Sequence, residues 1–247
     1  MNYLVSVLMC VYNTPIEFLK EAINSILDQT YKNLEFVIVD DASDLAEVVS
    51  YLDYVSEADN RITLLHNKTN LGLTKSLNVG LDRCNGVYIA RMDSDDISLP
   101  ERIHKQVEYM ESHPDVALLG SNIISFGEGI RENDSSTIED RCDDPEIYRI
   151  SSMFENPGPA HPSFMFRSSF LMDNNIKYRE DIKKAQDYGI IVDILKAGGI
   201  INKIKTPLVR YRVHGGQITT NNEIEQMAYR CRVSYNYIRY LFPELDV

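Results

Sequence analysis

Short apolar runs alternate with helical repeats of apolar residues through the first half of the chain. Val5–Val11 is a continuous run rich in β-branched residues, which is typical of a strand buried on both faces. Residues 14–17 resemble a capping box with proline at the first helical position, and apolar residues at helical spacing follow. The same alternation predicts strands over 34–39, 62–66, 87–91 and 116–120, and helices over 45–55, 73–84 and 101–112.

Strands that alternate with helices imply an α/β fold with parallel pairing through right-handed crossovers. In such sheets, ligands bind beyond the carboxyl ends of the strands. Polar residues follow three of the predicted strands: Asn13 follows the first, Asp40 and Asp41 close the second, and residues 93–96 follow the fourth. We therefore expect these side chains to line one crevice.

The regular alternation of strand and helix patterns ends after about residue 122. Strands are predicted over 123–126, 163–166, 200–204 and 208–213, and helices over 145–154, 186–197 and 223–241. Residues 131–144 are polar and predict a loop or lid, and the prolines within 157–162 require an irregular segment. No linker separates these parts. We expect one domain with three parts: 1–121, 122–217 and a C-terminal helix over 218–247.

Composition narrows the class of protein. The 247 residues are 44% hydrophobic, enough for a proper core, and the net charge of −12 argues against a nucleic-acid partner. No apolar run reaches the length of a membrane span, and the first residues do not resemble a signal peptide. The four cysteines are scattered, which favours reduced thiols in a cytoplasm.

Three acids crowd the end of the fourth predicted strand. Asp93, Asp95 and Asp96 repel one another unless a cation lies among them. Aspartate oxygens suit Mg²⁺ or Mn²⁺, which commonly also hold substrate phosphates. The alternative is a solvated acidic turn before a helix. Asp40 and Asp41 have a similar alternative, as a turn or a helix cap.

The chain lacks the glycine-rich loops of dehydrogenases and P-loop kinases and the nucleophile elbow of hydrolases. Nine segments, in their order and spacing, instead resemble family 2 glycosyltransferases. They are 5–13 (VSVLMCVYN), 25–30 (SILDQT), 37–43 (VIVDDAS), 70–73 (NLGL), 77–81 (LNVGL), 88–96 (YIARMDSDD), 161–167 (HPSFMFR), 186–188 (QDY) and 211–217 (YRVHGGQ).

The resemblance implies a GT-A fold, in which a Rossmann-like nucleotide-binding sheet flanked by helices merges with a smaller acceptor-binding half. It also implies a UDP-sugar donor, a glycan or lipid-linked oligosaccharide acceptor and a Mn²⁺ or Mg²⁺ cofactor. Asp41 would face the uracil with Asp40 in support, and Asp93 would contact the ribose. Asp95 and His214 would bind the metal, with Asp96 assisting. The remaining donor-side residues would be Val11, Tyr12, Asn13, Asn70, Lys75, Arg91, Met92 and Ser94.

Asp187 is the implied general base, since an inverting transfer needs one carboxylate to deprotonate the acceptor hydroxyl. The family commonly has Glu-Asp at this point, whereas this chain has Gln186 before Asp187. Gln186 and His161 are the acceptor-side candidates. Each residue has a structural alternative: a helix-terminal acid for Asp187, a turn for His161 and His214, an ion pair for Lys75 and Arg91, and a helix end for Gln29.

The last predicted helix mixes basic and aromatic residues, which suits a peripheral membrane contact at the inner face. Packing on the domain and a dimer contact are the alternatives. The resemblance implies that residues 1–121 form the nucleotide-sugar half and 122–217 the acceptor half. Together with the residues above, it implies an inverting, metal-dependent glycosyltransferase of bacterial capsule or surface-glycan synthesis. Rival interpretations are a phosphatase using Asp93 and Asp95, a nucleotidyltransferase, and a degenerate subunit that binds sugar nucleotides without turnover.

Overall fold

One mixed sheet of eight strands runs through the computed structural model, which describes residues 3–130, 144–215 and 223–244. The strands are β1 (Val5–Val11), β2 (Leu34–Asp40), β3 (Ile62–His66), β4 (Tyr88–Asp93), β5 (Ile97–Ser98), β6 (Val116–Gly127), β7 (Met165–Arg167) and β8 (Ile200–Val213). Their order across the sheet is β3-β2-β1-β4-β7-β6-β8-β5. The predicted parallel pairing of the first four strands is confirmed, because β1 pairs in parallel with both β2 and β4, and β2 with β3.

The second half of the sheet differs from the prediction in how its strands are divided. β7 is antiparallel to its neighbours β4 and β6, and β8 runs parallel to β6 along its length. The two strands predicted on either side of Pro207 form the single strand β8. A register irregularity opposite Asn122 accommodates the proline, which has no N–H to donate. The two-residue strand β5 has no periodic signal and was not predicted.

The helices cover both faces of the sheet. They are α1 (Ile16–Leu27), α2 (Ala46–Ala58), α3 (Leu73–Leu81), α4 (Arg102–Ser112), α5 (Pro145–Ser151), α6 (Ser168–Asp173), α7 (Gln186–Lys196) and α8 (Glu223–Leu241), with a 3₁₀ turn at His161–Ser163. The short helix α6 was not predicted. Of the predicted loop or lid, only Asp144 lies within the described residues, where its carboxylate caps α5. Among the helices of the described ranges, none combines the length and apolar character needed to cross a bilayer.

The predicted capping box at the start of α1 is wrong. Pro15 precedes the first helical residue, and no side chain caps this helix. The Thr14 hydroxyl instead lies 2.7 Å from the Ser94 hydroxyl, which joins the carboxyl ends of β1 and β4. A tertiary partner has therefore replaced the local cap.

Strand residues alternate between two apolar layers, as expected when both faces of a sheet are covered. On one face, Val7 and Met9 of β1 pack with residues of α1, α2 and α4. On the other face, Leu8 packs with residues of α3, α7 and α8. The polar carboxyl edge of β1, β2 and β4 lies between these layers and is the part of the fold that can hold a ligand.

Gln29 joins α1 to the start of α4. Its buried amide nitrogen donates to the backbone oxygens of Ser25 and Leu99 and to the Ser98 hydroxyl, at 2.8–3.1 Å. Its side-chain oxygen accepts from the backbone N–H of Ile103 at 3.1 Å. The helix-end interpretation of Gln29 is confirmed, and the amide also fixes the segment that follows the acidic turn.

We expect Gln29→Leu to lower the free energy of unfolding by about 2–4 kcal/mol, because buried backbone groups lose their partners. Asn24→Leu is the control, since it also replaces a side-chain amide with leucine, at an exposed position of α1. Urea unfolding monitored by circular dichroism measures both. Equal effects from the two substitutions would refute a clamping role.

His66, at the end of β3, connects strand β2 to helix α2. Its Nδ1 lies 3.0 Å from the Asp40 carboxylate and its Nε2 lies 3.1 Å from the Asp53 carboxylate. Burial opposes the charged imidazolium, but the hydrogen bonds to both carboxylates outweigh it and raise the pKa of His66 above its ordinary value. The charged ring therefore links β2 to α2 at the outer edge of the parallel sheet.

Because the pKa of His66 is raised in the folded state, its protonation stabilises the fold. This stabilisation is complete at pH values below the pKa of the unfolded state, about 6.5, and is lost as the pH rises through the pKa of the folded state. We expect the melting temperature of wild type to exceed that of His66→Gln most near pH 5.5, with the gap narrowing toward about pH 8. His104→Gln, on the surface of α4, is the control. A gap that is constant with pH would contradict the charged bridge.

Candidate functional site

The three predicted acids meet at the carboxyl end of β4. One carboxylate oxygen from each of Asp93, Asp95 and Asp96 lies within 4.8 Å of the others. Asp96 is fully buried; its Oδ1 accepts from the Arg212 backbone N–H at 2.8 Å, while its Oδ2 has no hydrogen-bond partner among the described residues. Burial, followed by the charges of Asp93 and Asp95, raises the pKa of Asp96 well above its ordinary value. The cluster therefore carries more negative charge than its own hydrogen bonds compensate.

Arg91 supplies the nearest compensation. Its buried guanidinium forms a bidentate ion pair with Asp93. Nη1 donates to Oδ2 at 2.5 Å, and Nη2 donates to Oδ1. The ion-pair alternative left open for Arg91 is thus the observed one. Lys75, the other candidate cation, lies 3.7 Å from Glu180 at the surface rather than against the acidic cluster.

Arg102 lies beneath the same strand end, wholly buried. It donates to the backbone oxygens of Arg91 and Phe164 and to the side chain of Gln106. Burial and the Arg91 charge lower the pKa of Arg102 to about 9, so it stays cationic at neutral pH. Sequence reasoning gave this residue no role, because a helix-start arginine normally faces solvent.

The end of β8 brings His214 to the acidic turn. Its Nε2 lies 3.0 Å from Asp95 Oδ2, and its ring contacts the Phe18 ring, with the centroids 5.2 Å apart. Arg212, two residues earlier, donates from Nε to the Asp95 backbone oxygen at 2.7 Å and pairs with Glu21. No local sequence pattern assigns a role to Arg212, because its partners become apparent only when β8 lies beside the turn.

The residues present fit a divalent cation. Asp95 and His214 offer a carboxylate and an imidazole side by side, and Asp96 Oδ2 is a buried carboxyl oxygen to which no described residue donates. Oxygen ligands with one imidazole suit Mn²⁺, and the oxygens alone suit Mg²⁺. Asp93 is engaged with Arg91, so its role as a ligand would be secondary.

The polar residues after β1 and β2 form hydrogen bonds with neighbouring loops. Asp41 is buried, and its carboxylate accepts from Asn67 Nδ2 and from the backbone N–H groups of Leu71 and Gly72, each at 2.8 Å. Asn13 adopts a left-handed backbone conformation, with φ of 50°. Its side-chain oxygen accepts from the backbone N–H of Asp44 at 2.8 Å. These contacts define the wall of the crevice beyond β1 and β2.

The other predicted donor-side residues differ in what they can offer a ligand. The side chains of Val11 and Met92 are buried in the core, so only their backbone groups can face the crevice. Tyr12 is exposed, and the Asn70 side chain accepts from the Gly72 N–H at 3.1 Å. The Ser94 hydroxyl is held by Thr14.

Asp187 begins the first turn of α7, where the helix dipole favours an anion. Asn156 Nδ2 donates to its Oδ2 at 2.7 Å. Burial is the main cause that raises the pKa of Asp93 and the Arg91 charge opposes it, while the charges of Asp95 and then Asp187 add to the rise. Asn156 was missed because it lies 31 residues away in the irregular segment. Gln186 lies beside Asp187 and is half-buried.

His161 lies on the inner side of the same site. Its Nε2 is 2.8 Å from the Tyr178 hydroxyl, and its ring packs edge-on against Phe164 and Tyr178. Burial and the Arg91 charge lower the pKa of His161 well below its ordinary value, so the ring is neutral at physiological pH. A neutral imidazole here can exchange hydrogen bonds but does not add charge.

Comparison with known sequences agrees with this arrangement. The sequence model described as "Glycosyl transferase family 2" matches residues 6–174. An uncharacterized glycosyltransferase of Haemophilus influenzae is 32% identical over 99% of this chain and 76% of its own length. The amylovoran biosynthesis glycosyltransferase AmsE of Erwinia amylovora is 31% identical over 84% of this chain and 75% of its own length.

Two solved structures share the fold. S. aureus TarS 1-349 in complex with UDP-GlcNAc matches with a TM-score of 0.71 and 19% identity, over 97% of this chain and 73% of that chain. The Pyrobaculum calidifontis mannosyltransferase PcManGT in complex with GDP-Man and Mn²⁺ matches with a TM-score of 0.67 and 16% identity, over 100% of this chain and 77% of that chain. Identities this low establish the fold alone. Taken with the sequence matches, they show that this chain belongs to glycosyltransferase family 2 and has the GT-A fold.

Proposed function

We propose that the protein is an inverting, divalent-metal-dependent glycosyltransferase that transfers a sugar from a UDP-sugar to a hydroxyl of a glycan or glycolipid acceptor. The observation that carries this proposal is the contact of Asp95 with His214 at 3.0 Å, beside the Asp96 Oδ2 that has no partner in the described part of the chain. Asp187 is near enough to Asp93 for its charge to help raise the pKa of that acid, and we place it at the same site. One site thus contains both a candidate for metal and diphosphate binding and a candidate base.

Asp95 and His214 would hold Mn²⁺ or Mg²⁺, with Asp96 as a further ligand. When bound, such a cation stabilises the negative charge that develops on a departing diphosphate. The chain's own contribution is the fixed position of these ligands. Arg212 holds the turn through the Asp95 backbone oxygen and Asp96 Oδ1, and Arg91 holds Asp93.

Asp187 would act as the general base. The acceptor oxygen attacks the anomeric carbon while its proton passes to the Asp187 carboxylate, and the bond between that carbon and the diphosphate oxygen breaks. This single displacement inverts the anomeric centre. The Asn156 amide holds Oδ2 of this carboxylate, and Oδ1 would accept the proton. His161 and Gln186 would contact the acceptor as neutral groups.

The donor base and ribose would lie against the ends of β1 and β2. A carboxylate offers about four lone-pair sites, and Asp41 uses three of them on Asn67, Leu71 and Gly72. A fourth site could accept from the uracil N–H. Asp40 would support Asp41 from the neighbouring position, and Asn13, Asn70 and Lys75 would line the same wall.

The relatives suggest the setting. AmsE is a glycosyltransferase of amylovoran biosynthesis by its name, and TarS has been solved with UDP-GlcNAc. We propose a role in bacterial surface-polysaccharide synthesis, carried out in the cytoplasm at the inner face of the membrane. Residues 1–121 would bind the donor and 122–217 the acceptor, within one domain that includes the C-terminal segment 218–247.

A panel of nucleotide sugars, each with and without Mn²⁺, tests the donor class by thermal stabilisation. A ligand present at about 100 times its Kd stabilises the folded state by about 2.7 kcal/mol. We expect UDP-sugars with Mn²⁺ to raise the melting temperature. Stabilisation by GDP-sugars alone would overturn the UDP assignment, and binding without transfer to any acceptor would favour the degenerate-subunit alternative.

We expect Asp95→Asn to abolish Mn²⁺-dependent stabilisation by UDP and to lower transfer by at least about 10²-fold, because the neutral amide removes a metal ligand. Asp115→Asn, an exposed acid before β6, makes the same change outside the site. Both are compared by thermal shift and by turnover. Undiminished turnover in Asp95→Asn would remove this residue from the metal site.

Asp187→Asn should lower transfer by about 10²–10⁴-fold while leaving UDP affinity within about twofold, since a general base acts only on the acceptor proton. Asp173→Asn, at the exposed end of α6, makes the same change outside the site and should retain transfer. If UDP affinity collapses in Asp187→Asn, the residue belongs to the donor site and is not the base.

A further inference from the structure

The C-terminal helix α8 is apolar on two opposite sides. Its inner side packs on the domain, with Val233 and Tyr237 buried in the core. Its outer side shows a second apolar row to solvent, which we call the outer stripe. It consists of Ile224, Ala228, Cys231, Tyr235, Ile238 and Phe242.

The outer stripe is a persistent feature because α8 is held in one orientation. Arg232 pairs with Asp181 at 3.1 Å, and Glu225 pairs with Lys184 at 2.5 Å. The Ser234 hydroxyl donates to the Met153 backbone oxygen. Contacts on both flanks therefore prevent the helix from turning its outer side inward, and Ile224 stays 88% exposed.

The spacing of the outer stripe matches a helix–helix seam. Its residues follow one another at intervals of four, three, four, three and four, which is the heptad pattern of a coiled coil. The backbone N–H of Phe242 donates to the Ile238 oxygen, so the helical path continues through the last position. A helix of 19 residues is about 28 Å long, and the stripe runs along nearly all of it.

We propose that two copies of this chain associate through their outer stripes, with the two α8 helices antiparallel. A two-fold interface must be complementary to itself. Reversing the stripe places Phe242 against Ile224 of the second copy, Ile238 against Ala228, and Tyr235 against Cys231. Both small residues then face large ones. A parallel pair would instead oppose the two bulky Tyr235 rings and leave a gap between the two Ala228 side chains.

An anionic membrane surface fits this helix less well. Interfacial helices depend on uncompensated lysines and arginines beside their apolar face. Here Arg232 is already paired with Asp181, and Glu225 lies on the same flank. The whole chain carries a net charge of −12, which opposes approach to acidic lipids. A second copy needs no such charge, because the seam is apolar.

A single helix pair buries on the order of 1,000 Å² in total, at the low end of specific interfaces, so the association is reversible and concentration-dependent. Sedimentation velocity from about 1 to about 200 µM should show monomers converting to dimers. The association is independent of the donor site, and its measurement uses no transfer activity.

Ala228→Glu should weaken dimerisation by at least about 10²-fold, because a carboxylate would be buried against an apolar side chain of the second copy. Ala58→Glu makes the same change at an exposed position of α2 and should leave dimerisation unchanged. Matching melting temperatures at low concentration confirm that both variants fold. Monomers throughout the wild-type series, or dimers that persist in Ala228→Glu, would overturn the proposal.

Orientation is tested by Tyr235→Cys under oxidising conditions. The antiparallel pair brings the introduced thiol against Cys231 of the second copy, and mass spectrometry of the cross-linked peptides should find that pairing. The two Cys231 residues themselves would lie about 10 Å apart, beyond the reach of a disulfide. A Cys231–Cys231 bond in the wild type would overturn the antiparallel geometry. Vesicle flotation tests the lipid alternative. If the wild type stays monomeric and co-floats with phosphatidylglycerol vesicles, and Ala228→Glu abolishes this co-flotation, the outer stripe binds lipid instead.

Discussion

Mutual repulsion among three carboxylates at the end of β4 is the constraint on which the rest of the site depends. Asp93, Asp95 and Asp96 lie within 4.8 Å of one another in a partly buried position, where charges interact strongly. Arg91 compensates one acid through a direct ion pair. Arg102 contributes positive charge from within the core without touching a carboxylate oxygen. The negative charge that remains uncompensated is concentrated on Asp95 and Asp96, next to the imidazole of His214.

The two groups of acids in the crevice differ in how their charges are compensated. Asp40 and Asp41 are compensated by donors in their own neighbourhood: a backbone N–H and a histidine for Asp40, and two backbone N–H groups and an amide for Asp41. Their carboxylates are thereby held rigid and can present a defined edge to a ligand. The acids after β4 are less fully compensated, since the buried Oδ2 of Asp96 has no hydrogen-bond partner among the described residues. One edge of the sheet thus combines a preorganised polar wall with a centre of excess negative charge.

Much of the fold follows from the sequence, because contiguous apolar runs bounded by turn residues are strong local signals. The strands Val5–Val11 and Ile62–His66 and the helix Glu223–Leu241 were predicted with the bounds they have in the structure. Predictions failed where a tertiary contact overrides a local pattern: Thr14 bonds Ser94 instead of capping a helix, and Pro207 is absorbed within β8. Arg212 and Asn156 could not be found by pattern, since their partners lie 117 and 31 residues away.

The contact between His214 and Asp95 spans 119 residues of chain. It exists only when β8 has paired with β6 and with β5, so the site is a product of non-local strand pairing rather than of any one segment. Closing such a long loop costs entropy before any contact compensates for it, and we expect the site to form late in folding. A cation or nucleotide that binds there would select fully folded molecules. Binding at the site would therefore report that the whole sheet has formed. The family match to residues 6–174 ends before β8 and gives no such information.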